Sequence, residues 1–230
     1  MASAPLKPRP PKAQHRVIGF MHQTPPLSRR RILQASATLG ACALVPASLG
    51  ARAFAHPAAT AAPASPVIAA ARAGLQRLGA RVPHADVVGV ADFSQASAHP
   101  RFHLVDIERG RITSLLVAHG RGSDPSHTGW LSRFSNAPGS DCTSQGAFLT
   151  AADYIGKHGR SIRLIGLDAS NNNAEPRGIV VHSAPYVSAD IIRAHGVLGR
   201  SEGCFALSAA DLPAVLQQLG PGRLLVSARL

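Results

Sequence analysis

The sequence is short of cysteine, of acidic residues in its first quarter and of long apolar runs. Three cysteines in 230 residues exclude a disulfide-stapled scaffold, and none stands in the Cys-x-x-Cys spacing of a zinc knuckle. Residues 1–55 hold eight Lys or Arg and no Asp or Glu, whereas the remainder holds sixteen basic against twelve acidic side chains. The formal charge of +12 therefore belongs mostly to the N-terminus, and no nucleic-acid partner is expected for the folded part. No stretch reaches the roughly 20 apolar residues needed to cross a bilayer, so no integral membrane segment is expected in the mature chain.

What the N-terminus does contain is a basic stretch that runs into a short apolar one, the build of a secretory leader. Ser28-Arg29-Arg30-Arg31-Ile32-Leu33-Gln34 resembles the twin-arginine export motif, and the mildly apolar Ala35–Leu49 follows it. Small residues at Ala51-Arg52-Ala53 and Ala53-Phe54-Ala55 offer two cleavage sites, the second leaving 175 residues. Leu39-Gly40-Ala41-Cys42 loosely matches a lipoprotein box, but the apolar run continues past Cys42, which makes lipidation there the lesser alternative. The organisation expected is a twin-arginine-type signal peptide over 1–55, an Ala/Pro linker over 56–66 and one domain over 67–230. The location expected is the periplasm or cell envelope.

In Val67–Leu78 the apolar residues Val67, Ala70, Ala71, Leu75 and Leu78 alternate with Arg72 and Arg77 at helical spacing, which predicts a helix ending at Gly79. Beyond Val82, short apolar runs separated by Gly, Pro, Asn and Asp predict a mainly β domain. The strands expected are Val87–Phe93, Phe102–Glu108, Arg111–His119, Gly146–Thr150, Ser161–Leu167, Gly178–His182 and Leu224–Ala228, with a hairpin turn at Arg109-Gly110. Two further helices are expected, one over Ser188–His195 and one opened by the box-like Ser208-Ala209-Ala210-Asp211 and stopped at Gly220-Pro221. The Gly- and Ser-rich stretch from Gly120 to Gly146 reads as a long functional loop that walls a groove.

Chemistry concentrates at two places. One is Arg200-Ser201-Glu202-Gly203-Cys204-Phe205-Ala206-Leu207; the other is Ile179-Val180-Val181-His182-Ser183, an apolar run that ends in a histidine. A thiol attacks as its thiolate, and an imidazole that takes its proton is the commonest means of activation near neutral pH. Cys204 as nucleophile and His182 as base thus point to acyl transfer. A zinc hydrolase built from His119, His127, His158, His182 and Cys204 is the enzymatic rival, weakened because no two of these stand at His-x-x-x-His spacing. No metal or other cofactor is required by the acyl-transfer reading.

These residues resemble the L,D-transpeptidase catalytic domain family (YkuD-type), and within it the murein L,D-transpeptidase-like branch. The resemblance rests on His182-Ser183, on Ser201-x-Gly203-Cys204 and on Thr143-Ser144-Gln145-Gly146-Ala147-Phe148. It extends to His119-Gly120-Arg121-Gly122-Ser123, Phe134-Ser135-Asn136, Tyr154-Ile155-Gly156-Lys157-His158-Gly159 and Asn172-Asn173-Ala174-Glu175-Pro176-Arg177. It implies a β-sandwich-like fold and a cysteine-dependent peptidoglycan transpeptidase that works on tetrapeptide stems through a thioester, forming 3→3 cross-links. Water as acceptor would make the same site an L,D-carboxypeptidase, and a non-catalytic peptidoglycan-binding module is the reading from another class. The chain departs from the family at Glu202, where His is usual, and at Ala206, where Asn is usual.

The resemblance further implies a lowered Cys204 pKa, imidazole orientation by Ser183 and oxyanion stabilisation by the amides of Gly203 and Cys204. Around these, Ser201, Arg200, Arg177 and His158 are candidates for holding the anionic stem peptide, with Lys157 and Arg163 behind them. Glu202 is expected to face solvent or to pair with Arg200. Replacing both Arg29 and Arg30 by Lys should leave unprocessed precursor in the cytoplasm, measured by fractionation and immunoblotting; undiminished export would remove the twin-arginine assignment.

Overall fold

The computed structural model describes residues 65–230, so the leader and nearly all of the linker expected from the sequence lie outside the described residues. The described chain runs α1 (Pro66–Leu78), β1 (Val87–Asp92), β2 (Phe102–Asp106), β3 (Arg111–Leu115), β4 (Gly146–Gly156), β5 (Gly159–Gly166), β6 (Val180–Ser183), α2 (Ala189–His195), β7 (Phe205–Leu207), α3 (Leu212–Gln218) and β8 (Leu224–Ala228). The fold is mainly β with a few peripheral helices, as the sequence predicts. None of the described helices is long and apolar enough to cross a membrane.

All eight strands form one mixed sheet in the order β3-β2-β1-β8-β4-β5-β6-β7, in which β1–β8 and β6–β7 are the parallel pairs. The sheet nearly closes on itself. β3 is one edge and β7 the other, yet Ala118, three residues after the end of β3, pairs with Ala206 of β7, and Gly120 pairs with Ser201. Three extended residues reach only about 10 Å, so the two edges must curl toward each other. This curl gives one continuous sheet its sandwich-like form.

The enclosed face carries the main core. Period-2 alternation sends Ala91, Phe102, Leu104, Phe148, Ile162, Leu164, Val181, Phe205, Leu207 and Leu225 inward, where Leu212, Val215 and Leu216 of α3 meet them. The alternate residues Val88, Val90, Val105, Ala147 and Leu224 face outward and pack against Ala71 and Leu78 of α1. α1 is thus a cover for the outer face of the sheet.

Two elements differ from the sequence reading. β4 continues past Thr150 to Gly156, through a register shift between Thr150 and Asp153, because it pairs with β5 as a hairpin; residues 151–158 show no apolar alternation that would reveal it. β7 is only three residues long and is missing from the expected strands, since the stretch reads as a turn. At the last helix, the Ser208 hydroxyl donates to the Asp211 carboxylate (2.7 Å) and accepts from the Asp211 amide (3.0 Å), so the expected box forms one turn ahead of α3.

Phe205 sits at the centre of the core, edge-on to Phe148 (centroids 5.6 Å apart) and stacked on Phe93 (6.2 Å). Phe205→Ala should destabilise the fold by about 3–5 kcal/mol, read from the midpoint of denaturant unfolding. A loss below about 1 kcal/mol would contradict this placement of the core.

Candidate active site

The Cys204 turn lies where the sheet closes. Residues 117–121 run along the free side of β7: the Ser201 amide donates to His119 O (2.9 Å), the Arg121 amide to Ser201 O (2.8 Å) and the Ala118 amide to Ala206 O (2.9 Å). Ser201 ties the turn internally, its hydroxyl donating to Cys204 O (2.7 Å) and accepting from the Gly203 amide (3.2 Å). Gly203 has φ +116°, and a Cβ there would stand 2.7 Å from Cys142 O and 2.9 Å from Ile179 Cδ1. Gly120 crosses it as closely, since a Cβ on Gly120 would stand 2.8 Å from the Gly203 backbone. Only two glycines allow this approach.

β6 supplies the histidine. His182 is the register partner of Ala206 in the parallel β6–β7 pair, and partners in register point to the same face. Cys204, two residues before Ala206, shares that face, while Val181 and Phe205 point into the core. Both His182 and Cys204 open onto a groove of about 570 Å³. His182 Nδ1 donates to Ser183 O (2.9 Å), which leaves Nε2 as the proton acceptor. The sequence reading assigns orientation of the imidazole to Ser183, and the orienting atom is its carbonyl; strand alternation turns its side chain to the opposite face from the ring.

Burial favours the neutral form of both groups. Burial lowers the His182 pKa, opposed by the Ser183 carbonyl and reinforced by His158 and Lys157. Burial also raises the pKa of the Cys204 thiol, more than the Val180 amide, Lys157 and Arg177 lower it. The thiol donates weakly to Gly178 O (3.6 Å). The lowered thiol pKa expected from the sequence is therefore not what the resting site has: with Cys204 only 9% exposed, the thiolate loses more hydration than its neighbours replace.

The basic residues divide into two kinds. Arg177 lines the groove, but its guanidinium donates to Cys142 O (2.5 Å), Ser144 Oγ (2.6 Å) and Ser135 O (2.9 Å), so it clamps the 135–144 loop behind the nucleophile. Arg200 likewise spends donors on Asp124 O and on Pro125 O (3.1 Å). Lys157 and Arg121 line the same groove from the β4–β5 hairpin and the closing segment. Arg121, which the sequence reading did not single out, takes the place expected for Arg200: it lies 3.5 Å from the Glu202 carboxylate and 2.8 Å from Asp141. Glu202 faces solvent, as expected. His158 stacks on His182, and Arg163 lies outside this groove, over the Tyr154 ring.

A buried polar trio supports the closing segment from within. Arg101 is fully buried and donates to Val117 O (3.2 and 3.1 Å), Gln95 O (2.8 Å) and His119 Nδ1 (2.6 Å). His119 therefore carries its proton on Nε2, which faces Asp124 Oδ2 at 3.4 Å. Burial, followed by the Arg101 charge, pushes the His119 pKa down to about 4, and burial lowers Arg101 to about 9. His119, named in the sequence as a possible zinc ligand, is buried against Arg101 here and supports the fold. Among the described residues no three His, Cys, Asp or Glu side chains converge to hold a metal ion. Nothing in the sequence spacing of Arg101, His119 and Asp124 marks them as partners.

The L,D-transpeptidase from Mycobacterium smegmatis is 18% identical over 62% of this chain and 58% of its own, with a TM-score of 0.38. L,D-transpeptidase 3 from Mycobacterium tuberculosis, in complex with a faropenem-derived adduct, is 17% identical over 63% and 60% (TM-score 0.40). The helical cell shape determining protein of Campylobacter jejuni is 14% identical over 69% and 54% (TM-score 0.41). The chain thus spans less than two thirds of the length of these structures. A search of curated proteins finds no match. The family model for the L,D-transpeptidase catalytic domain matches residues 62–227, nearly the whole described region, and the chain belongs to that family.

Proposed function

We propose that this protein is an exported, cysteine-dependent L,D-transpeptidase acting on the tetrapeptide stems of peptidoglycan. The observation that carries the reading is the placement of His182 and Cys204 on one face of the β6–β7 pair, both opening into one groove, with the His182 proton acceptor left free by the bond from Nδ1 to Ser183 O. The basic side chains around that groove suit a substrate that carries carboxylates; Arg177 and Arg200 are committed to loop carbonyls and Arg121 is paired with Asp141, which leaves Lys157 to meet it.

In this reading His182 Nε2 takes the thiol proton as Cys204 Sγ attacks the carbonyl between the diamino acid of the stem and its terminal D-Ala. The C–S bond forms, the C–N bond breaks, and His182 returns the proton to the departing amine. The amine of a second stem then attacks the thioester; C–N forms, C–S breaks, and the proton passes back through His182 to the thiol. In the resting protein the Gly203 amide is engaged by Ser201, so the Cys204 amide is the donor assigned to the oxyanion. Water in place of the second amine would give the carboxypeptidase outcome.

Purified mature protein incubated with defined muropeptides should convert tetrapeptide stems to 3→3 dimers, read by liquid chromatography and mass spectrometry. Cys204→Ala should abolish both that conversion and a covalent adduct with a carbapenem, and His182→Ala should slow acylation by about 10² to 10⁴. Release of D-Ala without dimers would assign the carboxypeptidase outcome. Peptidoglycan binding without any adduct would assign a non-catalytic module, and conversion by Cys204→Ala at the wild-type rate would refute the mechanism.

A further inference from the structure

The β4–β5 hairpin ends in a two-residue turn, Lys157-His158, between the paired glycines Gly156 and Gly159. From this tip the His158 ring lies over the His182 ring, the centroids 4.3 Å apart and the planes 26° from parallel. The strand ladder does not call for an imidazole there: the β4–β5 pairing is complete at Gly156 and Gly159 whatever side chain the turn carries. Yet His182 is only 2% exposed although its face opens onto the groove, and the hairpin tip lies on its groove side.

We propose that His158 is a positioning residue for the base: stacked on His182, it holds that ring in the plane that aims Nε2 at Cys204 and shields it from water. The proposal rests on the reading of His182 as the base and extends it to the hairpin. The bond from Nδ1 to Ser183 O fixes one edge of the imidazole, but a single hydrogen bond leaves the ring free to rock about that edge. A flat ring packed against its face removes that freedom, and misplacement of a catalytic group by about 1 Å can cost 10²-fold in rate. The same cover accounts for the low basicity of His182, because burial is its largest cause, and the charges of His158 and Lys157 act in the same direction. The other charged or titratable groups lining the groove are Arg200, Glu202 and Cys204 from the cysteine turn, Arg121 of the closing segment, Tyr154 of β4, Tyr186 beyond β6 and Arg177 ahead of it. None of these is among the causes of the His182 shift.

The test uses mature protein carrying His158→Ala or His158→Phe, both at an exposed turn. Two readouts are taken: the pH titration of the His182 ring by NMR, and the rate of Cys204 acylation by a carbapenem. His158→Ala should move the His182 titration to higher pH and slow acylation by about 10-fold to 10²-fold. His158→Phe keeps a flat cover and should restore both most of the way toward wild type. The proposal is overturned if His158→Ala leaves the titration and the rate unchanged. It is also overturned if His158→Phe is as slow as His158→Ala while its titration matches wild type, since that result assigns His158 a direct bond to the substrate. Absence of acylation in the wild-type protein would defeat the enzymatic reading, while the titration would still decide whether the stack governs His182.

Discussion

The site depends on the closure of the sheet. Residues just past one edge strand pair with the other edge at Ala118 and Ala206 and at Gly120 and Ser201, and the cysteine turn is made by that contact. Without the seam, β7 would be a three-residue edge strand with one neighbour, too short to hold Cys204 in a fixed position. Arg101 fastens the seam from inside the core through Val117 O and His119, and Asp124 continues the network into the loop whose carbonyls receive Arg200. Such buried polar groups are costly unless nearly all are satisfied, which explains why so much of the donor capacity of Arg101 and Arg177 is spent on carbonyl oxygens.

Burial also bears on the catalysis proposed. Many cysteine enzymes gain nucleophilicity from a thiolate–imidazolium pair formed before substrate arrives. Here the same loss of hydration raises the thiol pKa and lowers that of the imidazole, so in the proposed reaction the proton would leave sulfur only as attack begins. A thiol held this way is protected from adventitious oxidation, because oxidants react with the thiolate. In the proposed reaction the cost would be a stricter demand on geometry, since transfer to His182 must be well aligned when the acyl carbonyl arrives, and the Ser183 carbonyl and the β4–β5 hairpin are the parts proposed to meet it.

The fold class was legible in the sequence, and so were two residues that meet at the groove, His182 and Cys204, because each leaves a local pattern. Val180-Val181-His182 shows the apolar run of a buried strand, and Gly203 before Cys204 marks a turn with positive φ. β7 left no such trace, since three apolar residues after a cysteine read equally as turn or strand. The second half of β4 was invisible for the opposite reason, being held by ladder hydrogen bonds while its side chains face water. Partners distant in sequence were illegible as well: Glu202 meets Arg121 across 81 positions, counted along the sequence, instead of its neighbour Arg200, and Arg101 finds His119 across the open end of the β2–β3 pairing. The wish for a lowered thiol pKa failed because sequence reports which charges are present and not how much water the fold removes.

The central claim is that the Cys204–His182 pair rests neutral and transfers its proton only on attack. The most direct measurement is the ultraviolet absorbance of the thiolate, taken as wild type minus Cys204→Ala across the pH range, which isolates Cys204 from Cys142. A thiolate signal that appears only above the ordinary thiol range, near pH 8.5 as a rough reference, is the result this account predicts. A signal already present at neutral pH and persisting into mild acid would show a preformed ion pair and contradict it.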